Sequence, residues 1–173
     1  FEFKQSVAQA AALDRVVHEF YKTRNYQSFW TGDTPPERSR LRALIKSFSE
    51  ARQHGLPITK FNSDTLISKI LASTSFGAMG RLDVELTEKF LDYARRVQSG
   101  ILIPSEVDEE IVRNVIYRDP AKILVALEAA DAAVFFKSLP PQSMEYARLM
   151  KEKVRFERLV AVDDWGSEVA APT

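Results

Sequence analysis

One stretch, Arg81 to Pro104 (RLDVELTEKFLDYARRVQSGILIP), carries the longest sustained helical period in the chain and sets what the remainder must supply. Leu82, Leu86, Phe90, Tyr93, Ala94 and Val97 recur at steps of three and four. Asp83, Glu85, Glu88, Lys89, Asp92, Arg95 and Arg96 take the other positions. The spacing predicts a helix with one apolar and one solvated face. Acids crowd its first half and Arg95 and Arg96 its second, the polarity that the helix dipole favours, and Gly100 followed by Pro104 supplies a stop. A stripe of this length must be covered by other helices.

The rest of the chain reads as those partners. Ser6 to Arg24 is expected to form one helix with Leu13, Val16, Val17, Phe20 and Tyr21 on a stripe, and Asn25 suits a left-handed residue at its end. An aromatic connector follows, Tyr26, Phe29 and Trp30, before the turn residues Gly32-Asp33 and Pro35-Pro36. Large aromatics beside an amphipathic helix are most often core, so this loop is expected to fold back and plug it. The functional alternative is an aromatic contact surface, Tyr26, Phe29 and Trp30 stacking on a sugar ring.

Glu37 to His54 is the next expected helix, with Leu41, Leu44, Ile45, Phe48 and Ala51 inside and Arg38, Arg40, Arg42, Lys46 and Arg52 outside as a solvated face. His54-Gly55-Leu56-Pro57 ends it as a capping sequence, which gives His54 a structural task before a catalytic one. The only other histidine is His18. Phe61 lies in a connector, Ser63 to Ala72 forms a short helix with Leu66, Ile67, Ile70 and Leu71, and Ser73 to Gly80 reads as a flexible linker. Gly77 and Gly80 do not make a phosphate loop, which needs a preceding strand and a following lysine.

Beyond Gly100, Ser105 with Asp108 is expected to cap a helix carrying Val107, Ile111, Val112, Val115 and Ile116. Asp108-Glu109-Glu110 reads as a solvated acidic turn, since consecutive helical residues diverge; a hydrolase using Glu109 is the weakest functional reading. Asp119-Pro120 opens a helix with the stripe Ile123, Leu124, Leu127 and Ala130. After Leu139-Pro140-Pro141, Ser143 caps a last helix to about Ala161, with Tyr146, Leu149, Met150, Val154, Phe156 and Val160 available for burial. The expectation is therefore an all-α fold, a single helical domain of about six or seven helices over residues 1–162, with 163–173 as an exit linker toward further modules.

Composition narrows the function classes. Lys plus Arg number 24 and Asp plus Glu 24, a formal net charge of +0, so no basic surplus points to nucleic acid or an anionic membrane. There are no cysteines, which excludes disulfides, thiol catalysis and cysteine metal sites within these residues. No apolar run approaches the roughly 20 residues of a membrane span. No metal ligand set or cofactor motif is legible, and no catalytic residue is assigned. The start at Phe1 reads as trimmed or processed, and a removed signal peptide leaves no trace.

Four segments in fixed order carry a likeness. They are Phe20-Tyr21…Arg24-Asn25-Tyr26…Phe29-Trp30; Ala51…His54-Gly55-Leu56; Leu82-Asp83…Leu86-Thr87…Phe90-Leu91…Tyr93-Ala94…Gly100…Pro104; and Leu139-Pro140-Pro141…Tyr146…Leu149. Together they resemble the scaffold domain of the large bacterial L,D-transpeptidases, over roughly Leu13 to Val160. Ser28-Phe29 and Phe61 depart from the usual pattern conservatively. The resemblance implies a periplasmic, wall-remodelling parent, whose partners to this module are a peptidoglycan-binding repeat and a catalytic domain in the same chain; peptidoglycan itself is a further candidate partner. It also implies that chemistry resides elsewhere: the family's Ser-His-Gly-Cys signature has no counterpart here. The rival expectation is a stand-alone peptidoglycan- or protein-binding helical module.

Overall fold

A computed structural model describes residues 1–102, 104–108, 110 and 115–162, and every regular element among them is helical. They are α1 (Glu2–Ala11), α2 (Arg15–Thr23), α3 (Pro35–Glu50) continued by a 3-10 turn (Ala51–His54), α4 (Ser63–Ala72), α5 (Phe76–Ser99), α6 (Pro104–Val107), α7 (Pro120–Ala129), α8 (Ala132–Ser138) and α9 (Met144–Val162). The expected all-α class holds. The chain divides into two compact units, one spanning Phe1–Pro140 and a second beginning at Pro141, of which α9 is the described helix.

In the first unit α5 is the central element. Helix α1 lies along it, α2 packs on α1 and α7, and α3 packs on α4 and α8. The stripe expected on α5 is buried, including Leu86, Phe90, Tyr93 and Ala94, and Gly100 adopts φ +82° at its end. Aromatic rings spread from this stripe. Phe20 meets Phe29 edge to face at 5.0 Å, Phe29 meets Trp30 at 5.1 Å, and Trp30 leans on Phe90 at 5.6 Å. Phe61 and Phe48 close a second group against Tyr93. Each such pair contributes about 0.5–1.5 kcal/mol beyond its area burial.

The elements outnumber six or seven because expected helices divide. The helix expected over 6–24 breaks at Ala12 to Asp14, where the Asp14 carboxylate accepts from the N–H groups of Val16 and Val17 and starts α2 afresh. Leu13, expected in the stripe, falls in that break and is 90% exposed. Asp131 acts likewise for α8 by accepting from Val134 N, and Ala130 consequently lies outside the buried stripe of α7.

The expected linker over 73–80 is half helix. Ser75 caps α5 through Ala78 N, and Gly77 and Gly80 sit within its first turns. Their small size has a packing cause: a Cβ on Gly80 would stand 2.6 Å from the carbonyl oxygen of Phe3 in α1. The two helices approach too closely for any side chain there.

Two expectations of burial fail. Ile67 and Leu71 of α4 are exposed, only Leu66 of that helix being buried. No residue of α9 is buried; Leu149, Phe156 and Val160 are exposed and Tyr146, Met150 and Val154 half-buried. Ser143 caps α9 as expected, accepting from Tyr146 N at 3.1 Å. Of the helix expected after Ser105, only the turn Pro104–Val107 forms among the described residues; Val115 is half-buried, Ile116 is 90% exposed, and Glu109, Ile111, Val112 and the stretch 163–173 lie outside them.

Candidate functional site

The connector between α2 and α3 is held from below by one carboxylate. Asn25 and Tyr26 take left-handed conformations, φ 54° and 55°, and Tyr26 N returns to the carbonyl of Tyr21 at 2.8 Å, so the chain reverses and runs down onto α5. There the backbone N–H groups of Phe29, Trp30 and Thr31 all point at Asp83. Phe29 N donates to Oδ1 at 2.9 Å, while Trp30 N and Thr31 N donate to Oδ2 at 3.0 and 2.8 Å. The Thr31 hydroxyl adds a fourth donor at 2.8 Å and the Tyr21 hydroxyl a fifth at 2.6 Å. Asp83 is 0% exposed.

One turn along α5, Thr87 completes the set. Its Oγ1 accepts from Trp30 Nε1 at 2.9 Å and lies 2.8 Å from the Tyr21 hydroxyl. The Tyr21 proton is directed to the Asp83 carboxylate, the stronger and nearer acceptor, so the Thr87 hydroxyl donates to the Tyr21 oxygen or to the carbonyl of Asp83. Burial, followed by the Asp83 charge, pushes the Tyr21 phenol well above its ordinary pKa. It stays protonated throughout the working range.

A second acid braces the upper end of the connector. Glu37 closes a capping box with Thr34 at the start of α3 and also takes the Ser28 hydroxyl. Burial alone would raise its pKa, but the bonds from Ser28 and Thr34, with the Arg40 charge, outweigh that and hold it below the usual carboxylate range. Arg40, expected on the solvated face of α3, is only 7% exposed: its Nε donates to the carbonyl of Phe29 at 2.9 Å and its guanidinium lies 4.1 Å above the Phe29 ring. Arg24 stacks on the same ring at 4.9 Å and pairs with Glu128. The buried acids are thus countered by two cations. Arg24, Arg40 and Glu37 line a cleft of about 840 Å³, together with Phe3, Phe76 and Met79.

This arrangement orders a loop. Five donors use up the roughly four lone-pair directions of the Asp83 carboxylate, and the hydroxyls beside it, those of Tyr21, Thr31 and Thr87, are themselves held in hydrogen bonds. Phe29 and Trp30 are wholly buried, so neither offers a face to a sugar ring, and Tyr26 alone of the three is half-exposed. His18 lies in α2 near the Tyr26 ring and His54 in the 3-10 turn. Among the described residues no group of three or more His, Cys, Asp or Glu is placed to hold a metal ion, and no helix is long and apolar enough to cross a membrane.

A family model described as a scaffold domain matches residues 15–152. The chain belongs to the scaffold-domain family. No curated protein and no solved structure matches it. The match takes in the whole Asp83 anchor, from Tyr21 through the connector to Thr87, so the braced loop is part of what the scaffold-domain model covers. Helix α1 precedes it.

Asp83 was hidden by its charge: with the other acids of α5 it is expected in solvent. Its register says otherwise. Asp83 stands three, four and seven residues before Leu86, Thr87 and Phe90, on the buried face of the helix. An acid on an apolar stripe calls for donors, and the backbone N–H groups of the aromatic connector, 52 to 54 residues earlier, supply them.

Proposed function

We propose that this scaffold domain is the non-catalytic helical module of a periplasmic peptidoglycan L,D-transpeptidase, holding the catalytic and wall-binding modules of the same chain in position for cell-wall remodelling. The observation that carries this reading is that two likenesses coincide. The ordered segments from Phe20 to Leu149 resemble the scaffold of those enzymes, and the scaffold-domain match spans the same residues. The absence of cysteine fits a division of labour, because acyl transfer in that family needs a thiolate nucleophile that these 173 residues do not contain. The carboxylate-anchored connector suits a part whose task is to hold a shape.

The test is the source reading frame. A parent that encodes a peptidoglycan-binding repeat and a domain with Ser-His-Gly-Cys supports the proposal. A parent with neither refutes it.

A further inference from the structure

The cleft beside the anchored connector contains a donor group that the fold itself does not use. Arg40 is more than nine-tenths buried, and among the described residues its side-chain hydrogen bonding consists of the Nε bond to the carbonyl of Phe29. Its two Nη nitrogens have no protein partner among the described residues and are not fully enclosed, and Arg40 lines the cleft. The neighbouring charges are already committed. Both oxygens of Glu37 are taken by Ser28 and Thr34, and Arg24 is paired with Glu128. Lys4 lines the same space without an ion-pair partner among the described residues.

Two parallel N–H donors on a buried, planar cation match the two oxygens of a carboxylate. The volume, about 840 Å³, lies within the range of pockets that enclose a drug-sized ligand, and Phe3, Phe76 and Met79 supply apolar wall around the cation. We infer that this cleft binds the carboxylate end of a short peptide with an apolar last side chain, the carboxylate taken end-on by the Nη groups of Arg40 and the side chain set against Phe3, Phe76 and Met79. Glu2 and Asp33 also line the cleft and leave it without a net positive field, so a bare anion gains little there. Affinity needs both the fork and the apolar wall. This inference goes beyond the wall-remodelling reading and does not depend on it.

The test is calorimetric titration of the whole chain with N-acetyl-alanyl-leucine as the free acid and as its C-terminal amide. The acid is expected to bind about tenfold or more tightly than the amide, the difference made by charge-assisted bonds. Arg40→Lys keeps the charge but loses the fork, and is expected to remove most of that preference. Should that variant not fold, Phe76→Glu at the exposed rim keeps the question open to test: by removing apolar wall and adding a negative charge it is expected to weaken both ligands, the acid several-fold more than the amide. Equal binding of acid and amide, no binding of either at millimolar concentration, or an acid preference untouched by Phe76→Glu overturns the inference.

Discussion

Replacing Asp83 by Asn keeps the shape of the side chain and removes its charge, and so isolates what the carboxylate does. The amide has one acceptor oxygen and one donor nitrogen in place of two oxygens. Its better orientation puts the nitrogen at the Oδ1 position, where Tyr21 can rotate its hydroxyl to accept but Phe29 N–H cannot. One buried backbone donor is then orphaned, at about 1–3 kcal/mol. The bonds from Trp30 N, Thr31 N and Thr31 Oγ1 survive without charge assistance, a loss of about 1 kcal/mol each, partly offset because a neutral group is cheaper to bury. The net expectation is about 2–4 kcal/mol, a large share of the roughly 5–15 kcal/mol that holds a domain together. Urea unfolding in a Trp165→Phe background, which leaves Trp30 as the only tryptophan, should show a lower midpoint with unchanged slope by both circular dichroism and fluorescence. A loss below about 1 kcal/mol would refute the idea that this carboxylate carries the loop.

Three further outcomes follow from the same contacts. Thr87→Val leaves Trp30 Nε1–H without its acceptor and should cost about 1–3 kcal/mol in urea melts, with Thr87→Ser recovering most of it. Gly80→Ala must push α1 away from α5, since the new methyl meets the backbone oxygen of Phe3, and should lower the melting temperature despite the better helix propensity of Ala. Gly77→Ala meets only side-chain atoms, the movable end of Glu2 at 2.7 Å and the Ser6 hydroxyl at 3.3 Å, and should be near neutral or stabilising by up to about 1 kcal/mol. Acid should destabilise the fold through Glu37 and Asp92. Burial opposes their ionisation, but hydrogen bonds from Ser28 and Thr34 in one case, and from Lys60 and Arg96 in the other, leave both folded pKa values lowered. Their stabilisation is present above the ordinary carboxylate pKa of about 4 and is lost as pH falls through the depressed values. Glu37→Gln should therefore flatten the acid limb of a stability-versus-pH curve measured by urea titration.

The parts of this fold that could be read from sequence are those set by local rules. The period of α5, the left-handed residue after α2, the Asp119-Pro120 start of α7 and the Ser143 cap each depend on a few neighbouring residues, and each is found where its pattern puts it. What escaped depends on distant partners. Gly77 and Gly80 look like a linker until α1 is laid across them. Arg40 looks solvated until Phe29 arrives beneath it with both a carbonyl and a ring. The capping power of Asp14 was legible in principle, since an acid two residues before a Val-Val pair is a helix start, but the Ala-rich run ahead of it made one continuous helix the simpler pattern.

The choice of aspartate at position 83 follows from the loop it holds. A connector that buries Phe29 and Trp30 must also bury the N–H groups beside them, and buried amides need acceptors. Helix α5 offers the connector's amides little from its backbone, whose interior carbonyls are bonded within the helix, the carbonyl of Asp83 being approached only by the hydroxyls of Tyr21 and Thr87. A side chain must therefore present several lone pairs close to the helix axis. Asn supplies one oxygen, and Glu stands a methylene further out; Asp supplies two oxygens on the shortest stem. Its charge then requires cations nearby, and both Arg24 and Arg40 are drawn in around Phe29. Anchoring this loop thus also brings a fork-shaped cation to the wall of the cleft. A scaffold held in this way acquires a place to grip a carboxylate as a by-product of its own stability.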